Sequence, residues 1–220
     1  EFRRVLFRSC TSFELFRRWV VSDKKILELE KATKQTELQQ LKKQINPHFL
    51  FNMLNNANIL VKDAPDEASQ ILEKLDNLLR YQLNDSTRRE VFLTADIQFL
   101  TSFLELEKVR RDHFEYTIFQ EGNMENICIP PLLFIPFVEN AVKHNLDSDN
   151  LSYVHLYFSV HNKQLTFRCE NSKPRVPVKR EGGIGLANVK RRLDLLYESR
   201  YTLQIEDKET TYNVNLHLNL

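Results

Sequence analysis

Between Leu38 and Leu83 apolar residues return every three or four positions, the spacing that gathers side chains on one side of a helix. Leu38, Leu41 and Ile45 set the stripe, and Phe51, Leu54 and Ile59 carry it on. Lys24 to Gln44 holds neither Pro nor Gly and is rich in Leu, Glu, Lys and Gln, which are good helix formers. This predicts a coiled-coil-like leading helix, although Lys31 and Lys34 fall where its seam should be. Pro47 lacks a backbone donor, so a kink is expected there. The turn Asp63-Ala64-Pro65-Asp66 offers Asp63 or Asp66 as a helix cap. A second helix should then place Ala68, Ile71, Leu72, Leu75, Leu78, Leu79 and Leu83 on one face. Two helices of this kind cannot bury both stripes alone, so a four-helix bundle shared by two chains is expected.

The pattern changes after the polar stretch Asn84 to Glu90. Ile97, Leu100, Phe103 and Leu104 mark a helix capped by Thr94, and Tyr116 to Gln120 reads as a short strand. Pro130-Pro131 should start a helix carrying Leu133, Phe134, Phe137, Val138, Ala141 and Val142, since proline suits a first turn. Alternation predicts a hairpin from Tyr153 to Val160 and Gln164 to Glu170, with Leu165, Phe167 and Cys169 inward. A helix over Ile184 to Glu198 and a hairpin of Tyr201 to Ile205 with Tyr212 to Leu220 complete the chain. Strands interleaved with helices, without regular βαβ repetition, give an α+β class: a helical hairpin followed by a two-layer α/β sandwich.

Composition narrows the function classes. The chain is 42% hydrophobic and 28% charged over 220 residues, enough for a packed core rather than disorder. A net charge of +1 gives no electrostatic reason to bind nucleic acid directly. Cys10, Cys128 and Cys169 are odd in number and scattered, which fits neither a disulfide framework nor a zinc site. No apolar run approaches the ~20 residues of a membrane helix. Residues 1–9 can be encoded by the end of a common sequencing adapter and are set aside from fold reasoning. The expected organisation is then 10–35 as a coiled-coil-like helix, 36–88 as a dimerising hairpin, and 89–220 as a second domain.

Three places could carry chemistry. His48 lies beside the apolar seam in INPHFLFN, and a neutral imidazole has a nucleophilic lone pair near physiological pH. The bland alternative is a histidine at the bundle margin. Asn52 sits one helical turn on, where an amide could orient water or merely face solvent. Glu139 and Asn140 interrupt an apolar helix face, as its solvated side or as the wall of a site. An Asn oxygen is a hard ligand suited to Mg²⁺, and Lys143, nearly a turn on, could reach a phosphate. Gly182-Gly183-Ile184-Gly185 gathers three of the chain's four glycines at a helix N-terminus, a place that accepts phosphate oxygens or makes only a turn. Lys190-Arg191-Arg192 reads as a solvated face, and Lys173 to Glu181 as a short mobile lid.

INPHFLFN, IPPLLFIPFVENAVKHN (129–145) and GGIGLANVKRRL (182–193), in this order and spacing, resemble LytS/YehU-type sensor histidine kinases. The catalytic half of that family belongs to the gyrase-like (GHKL) ATPase superfamily, and the resemblance covers about residues 36 to 220. It implies His48 as phosphoacceptor, Asn140 as Mg²⁺ ligand and Glu139 as a catalytic or water-positioning group. It puts Lys143 and His144 near the phosphates of ATP, with Gly183, Gly185, Leu186 and Asn188 lining the nucleotide site. Glu170-Asn171-Ser172 stands where an aspartate normally reads adenine, so Glu170 is expected to take that hydrogen bond. Phe49 replaces the acid that follows histidine in many other kinases. The implied partners are a second copy of the chain and the receiver domain of a response regulator of the LytTR type. The implied location is the cytoplasmic portion of an inner-membrane protein, anchored by a segment upstream. The rival readings are a non-catalytic dimeric scaffold and an ATPase that uses Glu139 as base.

Overall fold

Helices α1 (Pro47–Asp63) and α2 (Pro65–Asn84) run back on each other through the single residue Ala64. They belong to a computed structural model that describes residues 47–111, 113–145, 151–174 and 184–220. The leading helix over 24–44, the segments 1–9 and 10–35, Gly182 and Gly183, and residues 175–181 of the expected lid lie outside these. Neither Asp63 nor Asp66 caps α2. Ala64 stands at the N-cap with no side-chain bond, and Pro65 fills the first turn, where no amide donor is needed.

The expected single stripe on α2 divides in two. Ala68, Ile71, Leu75, Leu78 and Tyr81 are buried, with Met53 and Ala57 of α1 among the core residues of the same unit. Burying each large apolar side chain of this seam stabilises by roughly 1.5–3 kcal/mol. Leu72 and Leu83 are instead 46% and 62% exposed, as are Phe51, Leu54 and Ile59 on α1.

A 3₁₀ turn (Asp85–Thr87) leads to β1 (Val91–Phe92) and helix α3 (Leu93–Val109). Thr94 does not cap α3, because the helix already begins at Leu93 behind Phe92. Strand β2 (Phe114–Glu121) follows, then β3 (Cys128–Ile129), which pairs antiparallel with β1 through Val91 and Ile129. These two-residue strands are too short to leave a periodic signal. Helix α4 (Ile135–His144) starts later than Pro130-Pro131 implied, because Leu132 adopts a left-handed φ of 55° and breaks any helix there.

The rest is β4 (Ser152–His161), β5 (Gln164–Ser172), helix α5 (Ile184–Tyr197), β6 (Tyr201–Asp207) and β7 (Thr211–Asn219). The main sheet has order β2-β4-β5-β7-β6. Strands β2 and β4 are parallel and joined across α4, in register from Phe114 opposite Ser152, whereas the other pairs are antiparallel. Asn162 and Lys163, at φ 50° and 63°, make the tight turn that lets β4 and β5 pair without splaying. One sheet face carries Val154, Leu156, Phe158, Leu165, Phe167, Cys169, Val214, Leu216 and Leu218, all buried. Phe134 packs edge-on to Phe158 at 5.2 Å, and Phe137 meets Phe167 at 5.8 Å, which fixes α4 on that face. This is the expected α+β architecture. No helix among the described residues is long and apolar enough to cross a membrane.

Candidate active site

Helix α4 builds the centre of the site. Its apolar side, Phe137, Val138, Ala141 and Val142, is locked into the core, so Glu139, Asn140, Lys143 and His144 are turned outward along the other side. Asn140 and His144 are half-buried and Lys143 is exposed. Glu139 enters a pocket lined by Phe49 and Leu50 of α1, Leu78 and Gln82 of α2, and Phe99 and Phe103 of α3. Burial, with the Glu107 carboxylate second, pushes the Glu139 carboxyl up to about 7.

The pocket brings α4 to the hairpin. The Phe49 ring lies 4.9 Å from that of Phe103, so the residue after His48 is anchored on the α/β half. His48 itself lies in the first turn of α1, with its side chain outside the described portion, and Asn52 sits half-buried one turn on. Phe49, which stands where other kinases place an acid, is a packing residue here.

Residues to which no role was assigned from sequence hold α4 in place. Arg111 donates to the Val142 carbonyl and to Asn145 Oδ1, both at 3.0 Å. Asn145 is fully buried and donates to the Tyr153 carbonyl at 3.2 Å, which ties the end of α4 to β4. Glu107 pairs with Arg110 at 2.6 Å and with Arg111 at 3.1 Å. Arg111 thus joins α3 to the last turn of α4. Its signal in the sequence, one arginine in a charged run, is indistinguishable from a surface residue.

Glu170 and Asn171 stand on opposite faces of β5. On β5 the helix-facing residues are Leu165, Phe167, Cys169 and then Asn171, which is 1% exposed. Glu170 points to the opposite face, bonded to Arg168 at 2.5 Å and to the Tyr153 hydroxyl at 3.3 Å. Strand alternation forbids both from facing α4. Asn171 Nδ2 donates to the Ser172 carbonyl at 2.7 Å, which sets the amide orientation. Gly185 and Leu186 lie in the first turn of α5, their side-chain surroundings outside the described portion, and Asn188 is half-buried on the same helix. Gly183 lies outside the described residues. Lys190 and Arg191 are exposed as expected, but Arg192 is 4% exposed, so the basic run is not wholly a solvated face.

These groups suit Mg²⁺-bound nucleotide. No cluster of three or more His, Cys, Asp or Glu among the described residues could hold a metal alone. The neutral oxygen of Asn140, beside the cation of Lys143, fits an ion that arrives with phosphate oxygens and retains its water.

Residues 36–114 match the family model described as Histidine kinase. Over that segment the chain is of the histidine kinase family. It is 30% identical to Sensor protein LytS of Staphylococcus haemolyticus, an alignment spanning 86% of this chain and 35% of that protein. It is 31% identical to Sensor histidine kinase YpdA of Escherichia coli over 54% of this chain and 21% of that one. Sensor histidine kinase/phosphatase LytS of Staphylococcus aureus is 32% identical over 52% of this chain and 20% of its own length. The chain thus spans about a third or less of these relatives. A solved histidine kinase domain from Erythrobacter litoralis aligns with 86% of this chain and 93% of its own, at 17% identity and a TM-score of 0.47.

Proposed function

We propose that this chain is the kinase portion of a sensor histidine kinase, which moves the γ-phosphoryl group of ATP to His48 and then to an aspartate of a response regulator. The single observation that carries the reading is the packing of the first turn of α1 beside Glu139, through Phe49 and Leu50. A histidine at that turn needs little travel to meet a phosphate on α4. In the transfer a His48 nitrogen attacks the γ-phosphorus, an N–P bond forms, the bond to the β-phosphate oxygen breaks, and ADP leaves. Mg²⁺ supplies charge neutralisation at the phosphates, with Asn140 as its protein ligand. Lys143 and His144 face the phosphates. Glu139, poised near neutrality, accepts the imidazole proton directly or through one water, the role left open by Phe49. Asn171 takes the base-reading position assigned from sequence to Glu170, with Gly183, Gly185, Leu186 and Asn188 around the nucleotide. Asn52 orients water for loss of the phosphoryl group.

The exposed apolar residues of α1 and α2 support a homodimer. Phe51, Leu54, Ile59, Leu72 and Leu83 are what a second hairpin would cover to complete a four-helix bundle. The regulator is of the LytTR type by resemblance to LytS sensors.

The test is incubation with γ-labelled ATP and Mg²⁺ of the wild type, His48→Gln and Asn140→Asp. Acid-labile label in the wild type, absent from both variants, is the expected result. Nucleotide binding without label would mean a scaffold, and phosphate release indifferent to His48→Gln would mean an ATPase.

A further inference from the structure

One buried carboxylate joins three parts of the molecule. Asp96 on α3 is fully buried, and its Oδ1 accepts from the Tyr81 hydroxyl of α2 at 2.5 Å and from the Leu132 amide at 3.0 Å. Tyr81 also stacks on Phe99 of α3, with ring centroids 4.7 Å apart. From the other side Arg192 of α5 donates to the Leu132 carbonyl at 2.6 Å and to the Pro131 carbonyl. Leu132, in its left-handed conformation, is therefore held at both its amide and its carbonyl, three residues before α4 begins. Asp96 Oδ2 and Arg192 Nε are buried without a hydrogen-bond partner among the described residues.

We propose that Asp96 is a positioning residue for the phosphoryl transfer: through Tyr81 it fixes the hairpin against the α/β half, and through Leu132 it fixes the turn that aims α4. The inference rests on the function proposed above. The Tyr81 hydroxyl is the only group removed by Tyr81→Phe, so the stacked ring stays while the polar tie is lost. Because the phosphoacceptor turn and the α4 turn are referred to one carboxylate, a loosened hairpin takes His48 away from the phosphate without disturbing the nucleotide site. Buried, charge-assisted ties of this kind are worth about tenfold in an equilibrium when one partner is removed.

The experiment uses spin labels at Glu67, exposed on α2, and Lys163, exposed in the β4–β5 turn, with labelled chains diluted by unlabelled ones. Pulsed electron resonance reads the spread of hairpin positions, and label transfer from ATP reads kcat and KM in parallel. Tyr81→Phe should broaden the distances and lower the rate of His48 labelling about tenfold, with the KM for ATP unchanged within about twofold. Asp96→Asn retains an acceptor oxygen for Tyr81 and should keep the wild-type distances, while Asp96→Ala should broaden them as Tyr81→Phe does and, by freeing the Leu132 amide as well, also raise the KM for ATP. Unchanged distances in Tyr81→Phe, or equal loss in Asp96→Asn and Asp96→Ala, would overturn the proposal. Broadened distances in a protein whose wild type never labels His48 would uphold the tie and overturn the kinase reading instead.

Discussion

Glu139 shows how burial converts an ordinary side chain into a chemical group. Its pocket is apolar from α1, α2 and α3 except for Gln82, and Glu107, itself compensated by Arg110 and Arg111, is the charged group that bears on it. The raised carboxyl of Glu139 favours the protonated form in the folded state. Its contribution to stability is therefore complete below about 4.5, the ordinary value, and is lost as pH rises through about 7. Unfolding measured from pH 4.5 to 7.5 should show a decline of roughly 1–3 kcal/mol that Glu139→Gln flattens. In the kinase assay Glu139→Gln should remove the rising limb near neutral pH; a profile unchanged by the substitution would exclude it as the base. Arg111→Lys should lose the fork that holds Asn145 and Val142, lowering stability by about 1–3 kcal/mol in denaturant titrations. His48, Glu139 and Asn140 were singled out as candidates because their motifs stand out from apolar surroundings. Asp96, Tyr81, Arg111 and Arg192 were not, since a single polar residue in a helix looks the same whether tertiary packing buries it or not.

At the scale of elements, long periods were readable and local exceptions were not. Both hairpin helices, α3, α5 and the four antiparallel strands lie close to where the 3.6 and 2.0 periods put them. The start of α4 was misjudged because proline suits a helix start, yet Leu132 takes a conformation that only tertiary bonds sustain. Glu170 and Asn171 differ for a related reason: resemblance assigns both to the site, but alternation turns only Asn171 toward α4. The division of α2 into two seams has a measurable consequence. Leu75→Ala, in the seam buried within one chain, should lower unfolding stability by about 2–5 kcal/mol. Leu72→Ala, at 46% exposure, should change the unfolding of a single chain little and instead weaken dimers in sedimentation. Equal destabilisation by both would contradict the separation of the seams.

At the scale of the whole molecule, the described residues fall within one compact unit, so the hairpin is packed on the α/β half rather than tethered to it. That packing sets the first turn of α1 beside α4 and leaves an apolar strip of the hairpin exposed. A catalyst that works mostly by positioning needs this kind of scaffold more than it needs reactive groups. The most direct measurement is peptide mass analysis of this chain, kept at neutral to alkaline pH after incubation with ATP and Mg²⁺. The peptide containing His48 should gain the mass of one phosphoryl group, and lose it on acid treatment. A peptide that stays unmodified while nucleotide is bound, or a phosphoryl group that maps to another residue, would contradict the transfer to His48.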